Sequence, residues 1–351
     1  MAWSYRAAAT WSRSRGLTEA EQPWDAGQGA PIYNPRMFDT DVRQCADAVL
    51  MVRPAAFGWN PETRASNRFQ AASAPRDTGV AARARDELEA AANALQAAGV
   101  EVHLVADCSP PPRPDAVFPN NWFSTHADGT VVLYPMLAAA RRAERRPDAL
   151  LKLAERQGFL VRRVLDLTAS ERRGKFLEGT GSVVFDHLSR LAYACRSPRT
   201  DATMLGRLCD ELGYEPVVFD AFDGQGMPVY HTNVMLSIGR GFAIVCAEAL
   251  AAGDRDELLS RLQASGRRVL SIDRTQMARF AGNQLELRDS EGRSRLVMSR
   301  VARASLDAAA LGQLERCVEG FVEFDIPTIE TVGGGSARCM LAELFLPRRL
   351  A

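Results

Sequence analysis

A polar residue set in an otherwise apolar segment recurs along this chain about every 50 to 57 residues, at Asn121, Glu178, His231, Asn283 and Cys339. Around each mark the order is the same: apolar strand, Gly or Asp turn, second apolar strand, Ala/Arg/Glu-rich helix, closing strand. Residues 117–136 predict a hairpin turning at Ala127, Asp128 and Gly129, then an amphipathic helix over 137–157 and a strand over 159–167. Residues 176–195, 200–212 and 215–219 repeat that order, as do 229–248, 254–264 and 267–272. A fourth unit has its hairpin over 281–299, with the turn at 289–292, and its helix over 301–318. The fifth is split, joining residues 328–345 to a strand over 49–53, a helix over 81–98 and a strand over 100–105, so the two ends of the chain meet. A period of this length marks a repeat architecture of ββαβ units, an α/β fold. Five such units round one axis would bring the five marked residues into a common central space.

Composition narrows what that space can serve. Acidic and basic residues number 43 each, so a formal charge of zero gives no electrostatic reason to expect nucleic acid or a membrane surface as partner. A small molecule is the expected ligand, and homo-oligomerisation stays open. Seven scattered Cys in a long chain read as free thiols in a reducing, cytoplasmic compartment. No apolar run reaches the roughly 18 residues of a membrane span. Residues 1–44, with Arg6, Arg13 and Arg15 ahead of the first acid, are expected to form a poorly ordered extension, and 45–351 a single catalytic domain. No His/Cys/Asp cluster has metal-ligand spacing, so neither metal nor other cofactor is expected.

Cys339 follows Gly333, Gly334, Gly335, Ser336, Ala337 and Arg338, a stretch where the backbone turns tightly and leaves room above the sulfur. Taken alone, that turn fits a buried thiol as well as a nucleophile. Its register with His231 favours chemistry, because attack by a thiol needs an imidazole to manage its proton and to protonate a departing amine. Glu178 lies between Leu177 and Gly179 in an apolar segment, and a buried carboxylate there needs an Arg, a His or a ligand as partner. Asn121, Asn233, Asn67 and Asn283 are the candidate substrate-binding amides. Arg53 is a further candidate for an amino-acid ligand's polar end, whereas Arg338, in its glycine-rich turn, reads as solvated.

These residues resemble the pentein, or guanidino-group-modifying, superfamily, which holds arginine deiminases, dimethylarginine hydrolases and amidinotransferases. The resemblance runs from about Cys45 to the C-terminus and rests on Met51, Val52, Arg53 and Pro54; Asn60, Pro61, Glu62 and Thr63 with Asn67; and Phe118, Pro119, Asn120, Asn121 and Trp122. These three motifs are similar to the arginine deiminase-related branch that includes citrulline ureidases. The resemblance implies a five-bladed α/β propeller with pseudo-fivefold symmetry. It assigns the catalytic roles to Cys339, His231 and Glu178: thiolate attack, proton transfer, and orientation of the imidazole with a hydrogen bond to the substrate nitrogens.

Deiminases carry carboxylates where this chain has Asn233 and Asn121. Carboxylates suit a cationic guanidinium, while amides offer both donor and acceptor to a neutral group. The expectation is therefore cleavage of citrulline to ornithine, carbon dioxide and ammonia through a carbamoylated Cys339. Deimination of arginine or a methylated arginine, amidinotransfer, and a non-catalytic amino-acid or protein binder are the alternatives.

Overall fold

The period of the sequence is carried into five three-stranded sheets of one design, in a computed structural model that describes residues 43–108 and 110–349. Each sheet has a middle strand paired antiparallel on one side and parallel on the other. In four of them the antiparallel pair is a hairpin, and the parallel neighbour arrives through a crossover. The first sheet holds Phe123–Thr125, Thr130–Leu133 and Arg163–Asp166, in register at Ser124–Val132 and Val132–Leu165. The second holds Val184–Asp186, Leu191–Cys195 and Glu215–Phe219, and the third Leu236–Ile238, Phe242–Val245 and Arg268–Ser271. The fourth holds Leu285–Arg288, Ser294–Ser299 and Phe321–Phe324, the last a strand that the sequence pattern left out. In the fifth, Ala342–Glu343 pairs with Ala48–Arg53 at Val49–Glu343 and Leu50–Ala342, and Glu101–Ala106 lies on the other side. The first and last strands of the described residues are thus joined by backbone hydrogen bonds.

The crossover helices show why the pattern was readable. Val80–Ala97 buries Val80, Ala84, Leu88, Ala91, Ala92 and Leu95, a stripe at three- and four-residue spacing that packs on Phe321–Phe324 and Ala48–Arg53. Ala202–Leu212 begins where the Asp201 carboxylate accepts the Met204 N–H, and it stops at Gly213, whose φ of 69° suits glycine. Two expected helices are broken. The span 137–157 contains Ala139–Arg142 and Pro147–Arg156, because Pro147 has no N–H to continue the first ladder and instead opens the second helix. The span 301–318 divides into Arg300–Ser305 and Ala308–Glu315, since Asp307 caps a new start by accepting from Ala310 N.

Gln44, at the edge of the expected extension, is buried, and its amide donates to Phe185 O and Ile238 O. Residues 1–42 lie outside the described residues. Among the described residues no helix is long and apolar enough to cross a membrane.

Candidate active site

The five marked residues stand on short turns that lead into the first strand of each sheet, and not within strands as their apolar surroundings implied. Asn121 closes the turn Pro119–Asn121, Glu178 precedes Gly179–Ser182, and His231 precedes Thr232–Val234. Asn283 comes just before Leu285–Arg288, and Cys339 lies on Ala337–Met340. A strand alternates its side chains between two faces, whereas a turn at the strand entrance can aim one polar group freely. All five are buried, Cys339 being 3% exposed and Glu178 fully enclosed.

Cys339 sits among amides. Asn283 Nδ2 is 3.4 Å from Sγ and Asn233 Nδ2 3.8 Å. Asn283 is itself fixed, its Nδ2 donating to Asn233 O at 2.8 Å and its Oδ1 accepting Arg338 N at 3.1 Å. The glycine turn ahead of the thiol is held from several sides. Ser336 O accepts the Cys339 N–H, and Ser336 Oγ donates to the buried Glu330. Tyr230 O–H and Asn67 Nδ2 both donate to Gly334 O. Gly334 has φ 67°, and a Cβ there would lie 2.5 Å from Gln70 N, so only glycine fits between the turn and the segment carrying Asn67. Asn67 therefore clamps the turn instead of pointing a free amide at a ligand.

His231 Nε2 is 2.8 Å from Glu178 Oε2. Arg199 Nη1 is 3.3 Å from the same oxygen, and Glu178 Oε1 accepts the Leu137 N–H at 3.0 Å. Burial alone would raise the Glu178 pKa, but the Arg199 charge and the His231 bond hold the carboxyl well below the usual range. Burial lowers His231 to about 4 despite the Glu178 carboxylate. Burial likewise raises the Cys339 thiol, against weaker opposing bonds from Ser336 and Asn283. At neutral pH the resting site is thus a protonated thiol, a neutral imidazole and an ionised carboxylate. With Nε2 engaged by Glu178, Nδ1 is the imidazole nitrogen left for proton transfer. It faces the bare Cα of Gly181, where a Cβ would come within 2.7 Å of it and would also collide with Asn121 Nδ2.

Arg53 is paired with Glu89, and Arg338 with Glu343 and Leu341 O. Two residues that the sequence reading passed over, Arg199 and Arg141, and one that it named only as part of a motif, Asn120, belong to this neighbourhood. Arg199 ties Glu178 to Ser66 Oγ and Thr63 O, and Arg141 donates to Asn121. Asn120 is fully buried with neither side-chain atom partnered. Among the described residues no three His, Cys, Asp or Glu side chains are gathered as metal ligands would be.

The family model described as N,N dimethylarginine dimethylhydrolase, eukaryotic, matches residues 53–346. No curated protein sequence matches the chain. Among solved structures, the substrate-bound N-terminal domain of ArgZ, an arginine dihydrolase from the ornithine–ammonia cycle in cyanobacteria, is similar with a TM-score of 0.66 and 18% identity, over 84% of this chain and 97% of that one. AgrE in complex with L-arginine gives 0.67 and 18%, over 86% of this chain and 40% of that one. The dimethylarginine hydrolase of Pseudomonas aeruginosa in complex with citrulline gives 0.59 and 15%, over 86% and 100%. At these identities the likeness establishes a shared mixed α/β fold.

Proposed function

The chain belongs to the N,N dimethylarginine dimethylhydrolase family, within the pentein superfamily of guanidino-modifying enzymes, and is a hydrolase of carbon–nitrogen bonds; we propose that the bond it cleaves is in the ureido group of citrulline. This reading takes the five sheets as blades of a five-bladed propeller, residues 45–351 as a single catalytic domain, and the marked residues as the wall of its central site.

One observation carries the choice of a neutral substrate. The carboxylate beside the imidazole, Glu178, is engaged on both oxygens, by His231 and Arg199 on one and by Leu137 N on the other. Asp115 accepts from Asn60 and lies near Arg141, while Glu144 holds the Arg141 fork. A guanidinium brought to Cys339 would meet amides and two buried arginines, without the charge-assisted partner that a desolvated cation requires. A urea needs only donors and acceptors, and the unpartnered, buried Asn233 Oδ1 supplies an acceptor next to the thiol.

In the proposed reaction Cys339 Sγ attacks the ureido carbon as its proton passes to His231 Nδ1. His231 returns that proton to the δ-nitrogen of the departing ornithine, leaving an S-carbamoyl thioester. Water, deprotonated by His231, attacks the same carbon; the thiol is regenerated, and the released carbamate breaks down to carbon dioxide and ammonia. Glu178 holds the imidazole in the tautomer that leaves Nδ1 free.

The family's name favours one other reading, hydrolysis of a methylated arginine. Steady-state assays of the purified full chain on citrulline, arginine and dimethylarginine separate the two. Ornithine from citrulline, without citrulline from either guanidino compound, is expected; turnover of the guanidino compounds alone would overturn the urea reading.

A further inference from the structure

Asn121 is held in one orientation by a residue that is itself immobilised. Arg141 is 2% exposed, and its guanidinium makes a two-pronged contact with Glu144, Nε to Oε1 at 2.9 Å and Nη2 to Oε2 at 2.8 Å. Nη2 also donates to Phe118 O at 3.3 Å, and Asp115 lies 3.8 Å from Nε. The remaining arm, Nη1, donates to Asn121 Oδ1 at 2.7 Å. An arginine has five donors and no acceptor, so an Asn121 turned by 180° would set N–H against N–H. The amide therefore shows Oδ1 to Arg141 and Nδ2 to the other side.

On that other side Nδ2 is buried and has no partner. A buried, unpaired amide donor carries a desolvation cost that a ligand acceptor removes. Nδ2 also shares its position with the proton-transfer nitrogen: a Cβ on Gly181 would strike both Asn121 Nδ2 and His231 Nδ1. The free donor and the base thus pack close to one another, against the same bare Cα.

We propose that Arg141 is a specificity-determining positioning residue, which locks Asn121 as a hydrogen-bond donor to the substrate oxygen and to the oxyanion formed when Cys339 attacks. The inference rests on the urea reading and deepens it. As Sγ bonds to the ureido carbon, the carbonyl π pair moves onto oxygen, and Asn121 Nδ2–H meets the new charge. The Arg141 cation behind the amide polarises it in the sense that strengthens that bond. When the intermediate collapses, the pair returns to the C=O bond and the protonated ornithine nitrogen leaves. A guanidinium has no acceptor to offer this donor, so the same lock works against arginine.

The decisive variant is Asn121→Asp. A carboxylate at 121 keeps a partner for Arg141, so the melting temperature is expected to hold, but no donor is left at the site. The kcat for citrulline should drop about 100- to 1,000-fold, the range for loss of one oxyanion donor. Citrulline turnover within fivefold of the parent would overturn the proposal. The paired variant Arg141→Met/Glu144→Leu removes the lock together with the Glu144 charge, and Asp115 keeps its hydrogen bond from Asn60. It should lower the ratio of kcat/KM for citrulline over arginine at least tenfold, whereas a merely structural Arg141 would lower both values together and leave the ratio unchanged. If the parent enzyme itself prefers arginine, the urea reading fails; if the parent prefers citrulline and Asn121→Asp still turns it over within fivefold of the parent, only the lock fails.

Discussion

Two buried polar clusters in this molecule have similar ingredients and opposite degrees of completion. Behind the second and third sheets, Arg267 grips Asp186 through both oxygens, at 2.6 and 2.8 Å, and donates a third bond to Gly239 O. Gln44 closes the group, accepting from His187 N and Arg267 while donating to Phe185 O and Ile238 O. Around Cys339, by contrast, Asn121 Nδ2, Asn233 Oδ1 and both side-chain atoms of Asn120 are buried without partners. Burial and charge alone do not tell the two apart. A finished network holds a fold together, and one with open valences is waiting for a ligand to complete it.

The contrast can be tested by damaging each side. The largest effect is expected from Cys339→Ser, which should reduce turnover by about 10,000-fold or more while the melting temperature stays within a few degrees. Next, Arg267→Leu strands Asp186 as an unpaired buried charge. It should cost about 3–5 kcal/mol in denaturant unfolding, with kcat per folded molecule unchanged. A large loss of kcat there would erase the distinction between the clusters.

Smaller still is the pH response. Because burial holds His231 near 4, the base is neutral above that value and becomes protonated as pH falls through it. The kcat/KM profile should be level from about pH 5 to 8 and fall about tenfold per unit only below the His231 value. An acid limb near 6.5, an unperturbed histidine's value, would contradict the buried geometry. Stability follows the same sign, since a depressed histidine pKa contributes stability that is complete above the unfolded value near 6.5 and is lost as pH drops toward 4. The mildest change is Asn67→Ala, which removes the clamp on the glycine turn. It should cost about 1 kcal/mol and raise KM a few-fold without touching a reacting group.

The repeat order, the pairing of the first and last described strands and most crossover helices were legible because they rest on apolar periodicity. Pro147 and Asp307 were also visible, yet the apolar period ran across them and two helices were read as four-turn or longer spans. The strand Phe321–Phe324 escaped because its run is only four residues long and Glu323 interrupts its apolar residues. At the site, Cys339, His231 and Glu178 announced themselves as polar residues in apolar settings. Arg141 and Arg199 did not, because nearly every basic residue of this chain is arginine and nothing local marks two of them as buried. The role of Asn67 depends on a contact with Gly334 far along the chain, which no local pattern encodes.

The pairing of Ala342–Glu343 with Ala48–Arg53 has a consequence in time as well as in space. The strand that follows the Cys339 turn finds its neighbour among the earliest described residues, so this contact closes a loop that takes in nearly all of the chain. Contacts of such span form slowly and late. During synthesis the thiol emerges after the residues of four of the five sheets, and the strand that follows it can pair with Ala48–Arg53 only from then on. A chain that stops short of residue 339 thus carries no nucleophile, however many of the other strands it has made.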